Sequence, residues 1–220
     1  MGIFDIIGPV MIGPSSSHTA GAARIGRLAR QILGEDVASA DIILYGSFAQ
    51  TGKGHGTDKA LVAGLLGYEP SSDKIRSALS VAEKMGVTIR FSFSDEDMGH
   101  PNVAGIHAIG KSGRKVDVVG RSLGGGRVLI TSIDGYPVEI SGEENTLITH
   151  HTDVPGVVAQ VCLVLAKEHV NISNMRVFRK GRGDDAIMLI HTDEVITPDV
   201  LHEVEHCNDN IVQVMALEKL

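Results

Sequence analysis

The chain has 220 residues, 43% of them apolar and 21% charged, the balance of an ordinary globular protein and not of a disordered or fibrous one. Its net charge of -7 and pI near 5.8, with no block of lysine or arginine, exclude nucleic acid as the main partner, because no basic stripe is available to neutralise phosphates. No apolar run reaches the ~18 residues that a bilayer-spanning helix needs, so no membrane partner is expected.

The amino terminus, Met1-Gly2-Ile3-Phe4-Asp5-Ile6, has no basic segment, and Gly8, Pro9, Gly13 and Pro14 interrupt its apolar residues. It reads as neither a secretion signal nor an anchor, and the expected location is cytoplasmic. The next stretch, Gly13-Pro14-Ser15-Ser16-Ser17-His18-Thr19, stands at the entrance of a helix predicted over 20–33. Hydroxyls at such a position cap free backbone N–H groups, and the helix dipole favours an anion. Taken alone these are ordinary capping residues. With His18 among them they also form a cradle for a small carboxylate with a titratable base beside it.

Ile25, Leu28, Ala29, Ile32 and Leu33 recur at spacings of three and four, the apolar stripe of that helix, and Gly34 stops it. A buried strand is predicted from Asp41 to Phe48, a glycine-rich turn from Thr51 to Asp58, and a helix from Lys59 to Leu66. The turn is not a nucleotide phosphate loop: the four-residue spacer to an earlier glycine is missing, and Gly54 replaces the hydroxyl due after Lys53. Its glycines do permit close backbone approach to a ligand, with His55 and Asp58 near the start of the next helix.

A helix over 73–85 and a strand over 87–93 follow. In the turn Gly99-His100-Pro101-Asn102 the proline restricts His100 to extended geometry. Strands are predicted over 104–109, 115–119, 127–133 and 136–140, and Ser122-Leu123-Gly124-Gly125-Gly126 between them is the third place where small residues expose backbone N–H groups. These three loops, with His18, His55 and His100, make a candidate site if the fold brings them together.

At Gly142 the character changes. Strands over 145–150, 171–179, 186–192 and 211–217 with helices over 157–168 and 198–207 give the order βαββαβ, the split βαβ sandwich. The expected fold is thus α/β (α+β): a mixed βα domain, residues 1-142, then a ferredoxin-like domain, residues 146-220, with an exposed edge for self-association. Cys162 and Cys207 are the only cysteines, too few for the ligand set of an iron-sulfur cluster, and read as buried small hydrophobes.

The run His151-Thr152-Asp153-Val154-Pro155-Gly156-Val157, with Asn171-Ile172 opening the next strand, resembles ACT domains, which bind amino acids and pair edge to edge. The likeness to the serine-sensing ACT domain of phosphoglycerate dehydrogenase implies an effector held by His151, Asp153 and Asn171 and by backbone near Pro155 and Gly156. Asp153 stands where that site has an asparagine. A carboxylate still accepts from an effector's ammonium group, but it lacks the amide donor.

The segments GPSSSHTAGA (13–22), GSFAQTGKGHGTD (46–58), GHPN (99–102) and SLGGG (122–126), in this order before an ACT-like unit, resemble the β chain of bacterial iron-sulfur L-serine dehydratases. The first part is also similar to the allosteric substrate-binding domain of some phosphoglycerate dehydrogenases. The resemblance implies an α chain as partner, whose cysteines ligate a [4Fe-4S] cluster, no metal in this chain, and conversion of L-serine to pyruvate and ammonia.

Eliminating water from serine requires a base for the Cα proton, a Lewis acid for the departing hydroxyl and fixation of the carboxylate. Ser15, Ser16, Ser17 and Thr19 are expected to hold the carboxylate, with His18 beside them to bond or transfer a proton and with His55 and Asn102 as further substrate-binding residues. The base is His18 or a group of the α chain. Nothing around Lys53 or Lys59 has the setting of a Schiff-base lysine. The alternative is a purely regulatory module that senses a small acid or amino acid without touching the chemistry.

Overall fold

The protein, seen in a computed structural model, is described over residues 10–220; the stretch Met1 to Ile6, read above as neither signal nor anchor, lies outside the described residues. The chain divides into two units, 1–141 and 142–220. Among the described residues no helix is long and apolar enough to cross a membrane.

In the first unit a π-helical turn, Ser16–Gly21, runs directly into helix α1, Ala22–Leu33. The helical path therefore begins ahead of the predicted residue 20, because Ser15 caps it: its Oγ accepts from the His18 N–H at 3.2 Å, and its carbonyl accepts from Thr19 N at 2.8 Å. The stripe Ile25, Leu28, Ala29, Ile32 and Leu33 is wholly buried. Gly34, at φ 76°, ends the helix in the left-handed conformation that favours glycine.

Strand β1, Val37–Tyr45, is followed by helix α2, Gly46–His55, and helix α3, Thr57–Leu65. Here the structure corrects the sequence reading: Gly46 to Phe48 is not the end of a strand, and Thr51 to His55 is not a turn. Tertiary contacts override the low helix propensity of Gly52 and Gly54. Gly46 bridges Asn102, Ser47 N donates to Pro101 O at 2.6 Å, and Phe48 is fully buried. Gly56, at φ 72°, then separates α2 from α3.

A 3-10 turn, Asp73–Ser77, leads into α4, Ala78–Lys84. Strands β2, Thr88–Ser94, β3, Asn102–Gly110, β4, Lys115–Gly124, β5, Arg127–Ile133, and β6, Tyr136–Ile140, complete a six-stranded sheet in the order β2-β1-β3-β4-β5-β6. Only β1 and β2 run parallel; every other neighbouring pair is antiparallel.

The sheet has one apolar and one polar face, as an antiparallel sheet covered on one side should. Val37, Ala40, Ile42 and Leu44 of β1 are buried, while Asp41 lies in a row of cross-strand partners: Arg90 on β2, Asp41, His107 on β3 and Asp117 on β4. Helices α1 and α3 pack together through two glycines. A Cβ on Gly26 would overlap the Leu61 carbonyl, and one on Gly64 would overlap the Ala23 carbonyl.

The second unit contains β7, Asn145–Thr152, α5, Val157–Lys167, β8, Ile172–Arg179, β9, Asp185–Thr192, α6, Pro198–His206, and β10, Ile211–Leu217. Its antiparallel sheet has the order β10-β7-β9-β8, the ferredoxin-like arrangement expected for βαββαβ. Val157, Val161 and Leu165 of α5 and Val200 and Val204 of α6 close one core with Leu147, Met188, Ile190 and Val214. Strand β8 is an edge and largely exposed, with Met175 and Val177 among its solvent-facing side chains.

Candidate functional site

The loops singled out in the sequence of the first unit meet around the π-helical turn. Gly13 approaches Thr19 so closely that a Cβ there would overlap the threonine side chain. Gly21 lies against Ser122 in the same manner, and Arg24 Nη1 donates to Gly126 O at 2.9 Å. The 99–102 turn joins through α2, by the Gly46–Asn102 bridge and the Ser47–Pro101 bond. Segments far apart in sequence are thereby fixed against one another, by close packing at Gly21, by the Arg24 side chain and by the backbone bonds of Gly46 and Ser47.

His18 is half-buried at the centre of this arrangement. Its Nε2 lies 3.1 Å from Thr51 Oγ1 and 3.2 Å from Ser47 Oγ, and its Nδ1 lies 3.5 Å from Ser15 Oγ. The Thr51 hydroxyl donates to the Ser47 carbonyl at 2.9 Å, so toward His18 it acts as acceptor and Nε2 carries the hydrogen. Nδ1 then holds the lone pair, on the Ser15 side. Burial first, and the neighbouring His55 second, push His18 below the usual histidine pKa of 6.5. The imidazole is therefore mainly neutral at pH 7, with the Nδ1 lone pair facing the Ser15 hydroxyl.

His55 stacks at a tilt, its ring centroid 4.8 Å from that of His18. Its Nδ1 donates to Thr51 O at 3.1 Å, which leaves Nε2 as its lone-pair atom. Phe48 meets the His18 ring edge to face at 5.2 Å. Ser47, Thr51 and His55 thus form one i, i+4, i+8 face of α2 directed at His18.

The serines and the threonine divide into two kinds. Ser15 is committed to capping, and Thr19 is buried with its hydroxyl directed to His55 O at 3.4 Å. Ser16 and Ser17 are half-buried and bond no described residue through their hydroxyls. Asn102 places its amide oxygen in a buried position with no hydrogen-bond partner among the described residues. His100 accepts from Asn102 N at 3.2 Å and belongs to the support of that turn; burial and then Arg121 lower its pKa.

Beside this centre lies a cleft of about 520 Å³ lined by Gly13, Pro14, Thr19, His55 and three cations, Lys53, Lys59 and Arg76. Among the described residues none that lines it is acidic, in a chain of net charge -7. His18 does not line the cleft itself; His55 connects the two. Sequence reading missed Ser47, Thr51 and Arg76 as candidates. The four-residue stacking of Ser47, Thr51 and His55 was the available signal, hidden by the reading of Gly52, Gly54 and Gly56 as a turn.

In the second unit His151 is buried at the end of β7, its Nδ1 3.2 Å from Thr149 Oγ1, and burial lowers its pKa. Asp153 accepts from Arg179 Nη1 at 2.9 Å, and exposed Pro155 and Gly156 lead into α5. Asn171 is elsewhere: it bonds Asp193 at 2.6 Å and Glu194 at 2.7 Å, beside the Ile172–Thr192 register pair, whereas His151 pairs with Ala186 at the other end of β9. A single chain does not bring Asn171 together with His151 and Asp153.

The cysteines do not fit an iron-sulfur cluster. Cys162 and Cys207 are free, only partly accessible, and burial pushes both thiols up, away from the thiolate form such a cluster binds.

A family model described as serine dehydratase beta chain matches residues 2–92, and one described as ACT domain matches residues 145–205. The probable L-serine dehydratase, beta chain, of Bacillus subtilis is 44% identical over 212 residues, covering 96% of each chain. The L-serine dehydratase, beta chain, of Peptoniphilus asaccharolyticus is 35% identical over 195 residues, covering 88% of each. The D-3-phosphoglycerate dehydrogenase of Methanocaldococcus jannaschii is 26% identical over 84% of this chain and 34% of its own.

Proposed function

The chain belongs to the family of L-serine dehydratase beta chains, and on that premise we propose that it is half of an enzyme: with a cluster-bearing α chain it eliminates water from L-serine. The substrate loses its Cα proton and its β-hydroxyl, and the resulting enamine tautomerises to an imine that water hydrolyses to pyruvate and ammonia. The observation that carries this reading is His18, held neutral with its Nδ1 lone pair defined by the Thr51 bond to Nε2.

His18 takes the Cα proton at Nδ1, entering a site where Ser16 and Ser17 offer uncommitted hydroxyls to the carboxylate. The field of Lys53, Lys59 and Arg76 draws that carboxylate toward the cleft. The unpartnered Asn102 Oδ1 is suited to accept from the substrate's ammonium group. Thr51 and Ser47 are positioning residues, and Ser15 and Thr19 hold the turn in shape. This chain offers no ligand set for a [4Fe-4S] cluster, so the cluster and the handling of the departing hydroxyl are assigned to the α chain.

The second unit serves as an effector domain. Because Asn171 lies at the opposite end of the sheet from His151 and Asp153, a complete set of these residues requires two copies. The exposed edge strand β8 is suited to pair them. L-Serine is the effector considered first, with Asp153 accepting from its ammonium group.

A second reading is favoured by the phosphoglycerate dehydrogenase relative, in which a similar two-unit stretch belongs to an enzyme with another name: the chain is regulatory only. Anaerobic assay of pyruvate from L-serine by this chain, by the α chain and by their mixture separates the readings. Activity confined to the mixture is expected. Activity of the α chain alone, altered by this chain only in its response to serine concentration, supports regulation instead.

A further inference from the structure

Among the described residues, one group of side chains outside the site already described brings metal-ligating atoms together: His202, Glu205 and His206 on helix α6, whose ligand atoms all lie within 4.8 Å of one another. We propose that these three residues form a binding site for a borderline divalent transition-metal ion such as Zn2+.

The helix prepares the site. His202 and His206 are one turn apart on the same face, and Glu205 adjoins them at i+3. The rings stand 4.2 Å apart between centroids, inclined at 48°. His206 Nδ1 donates to the His202 carbonyl at 2.8 Å, so its tautomer is fixed and Nε2 is left as the lone-pair atom. A backbone carbonyl bonded to the other ring nitrogen is the usual support of a metal-bound histidine.

The rest of α6 is anchored independently of the three ligands. Thr197 caps its start, Pro198 occupies the first turn, and Val200 and Val204 are buried in the core. Glu203, beside them on α6, is occupied elsewhere, its two oxygens accepting from Lys167 Nζ at 3.1 and 2.9 Å. The donor set of two imidazoles and one carboxylate suits Zn2+ better than Mg2+ or Ca2+, which prefer all-oxygen shells. Ligand atoms around tetrahedral Zn2+ are roughly 3.3 Å apart, given bonds of about 2.0–2.1 Å, so modest rotations of these exposed side chains close the site. Three protein ligands leave a position for water or a further ligand.

The test is calorimetric titration of the complete chain, freed of metal with chelator, with Zn2+ and separately with Mg2+. The expected result is a micromolar Zn2+ site with a stoichiometry of one per chain and no comparable Mg2+ binding. The double variant His202→Gln, His206→Gln should lose that site by at least tenfold, and Glu205→Gln by less. Zn2+ should also raise the thermal midpoint of the wild type and not of the double variant, while the metal-free midpoints agree. Unchanged Zn2+ affinity in the double variant, or no micromolar binding by the wild type, overturns the proposal.

Discussion

Thr51 Oγ1 stands 3.1 Å from His18 Nε2 while its own proton points to the Ser47 carbonyl, 2.9 Å away. One hydroxyl thus reads the backbone of α2 and dictates the tautomer of a histidine on the π-helical turn. The consequence is chemical: the lone pair of His18 is at Nδ1, beside the uncommitted serines and not on the α2 side.

Thr51→Val removes the acceptor while keeping the shape. A hydrogen bond of about 1–1.5 kcal/mol corresponds to roughly tenfold in rate. In the reconstituted enzyme kcat should fall by about that factor with KM little changed, and Thr51→Ser should restore most of it. A rise in KM alone would mean that Thr51 binds substrate and does not orient His18.

The acidity of His18 makes a second expectation. Its folded pKa is depressed, by burial first and His55 second, and a general base acts in its neutral form. The acid limb of kcat/KM should therefore fall at a pH below the ordinary 6.5 of a histidine. His55→Gln removes the second cause, so the limb should move to higher pH. Stability follows the same sign: between the folded pKa and 6.5 the unfolded chain binds more protons. His18's contribution is thus complete above 6.5 and is lost as pH falls through the folded pKa. Urea titrations of wild type and His18→Gln on either side of that window measure it.

Packing between α1 and α3 depends on Gly26 and Gly64, each facing a carbonyl of the other helix. Overpacking of a close contact typically costs about 1–3 kcal/mol. Gly64→Ala should lower the unfolding free energy read from urea titration by an amount in that range, and the midpoint with it, since backbone and not a flexible side chain must move. An unchanged midpoint would show that the helices separate freely.

For the second unit, His151→Ala and Asn171→Ala should each abolish the response of the enzyme to its effector. Mixing the two variants under conditions that allow exchange should restore part of it, because one mixed pair contains one intact set of residues. Absence of any restoration would place all ligands of the site within one copy.

Much of this molecule was legible in its residues. Every element of the second unit from Asn145 to Leu217 was located to within two residues of the observed bounds, because turn residues such as the run from Lys180 to Asp184 separate its apolar segments. Helix α2 was not legible: its stability rests on Phe48 in the core and on the Ser47–Pro101 bond, both long-range, whereas its local composition of Gly46, Gly52 and Gly54 favours a loop. The error carried into the site, since reading a turn concealed Ser47 and Thr51 as partners of His18. The motifs identified His18, Ser16, Ser17 and Asn102 as candidates, but their separate roles depend on which hydroxyls the fold already occupies. The separation of Asn171 from His151 follows from strand direction, which a motif does not encode: β7 and β8 both run antiparallel to β9, so the start of β8 lies at the opposite end of the sheet from the end of β7.

The central claim is that His18 takes the Cα proton of L-serine in a site shared with the α chain. Its most direct test is pyruvate formation by the α chain mixed with wild type, His18→Ala or His18→Gln, with complex formation checked by size exclusion. Turnover should fall by about 10²–10⁴-fold, the range of general-base catalysis, with the complex intact. Near-wild-type turnover by an intact complex of either variant would contradict it and move the base to the partner.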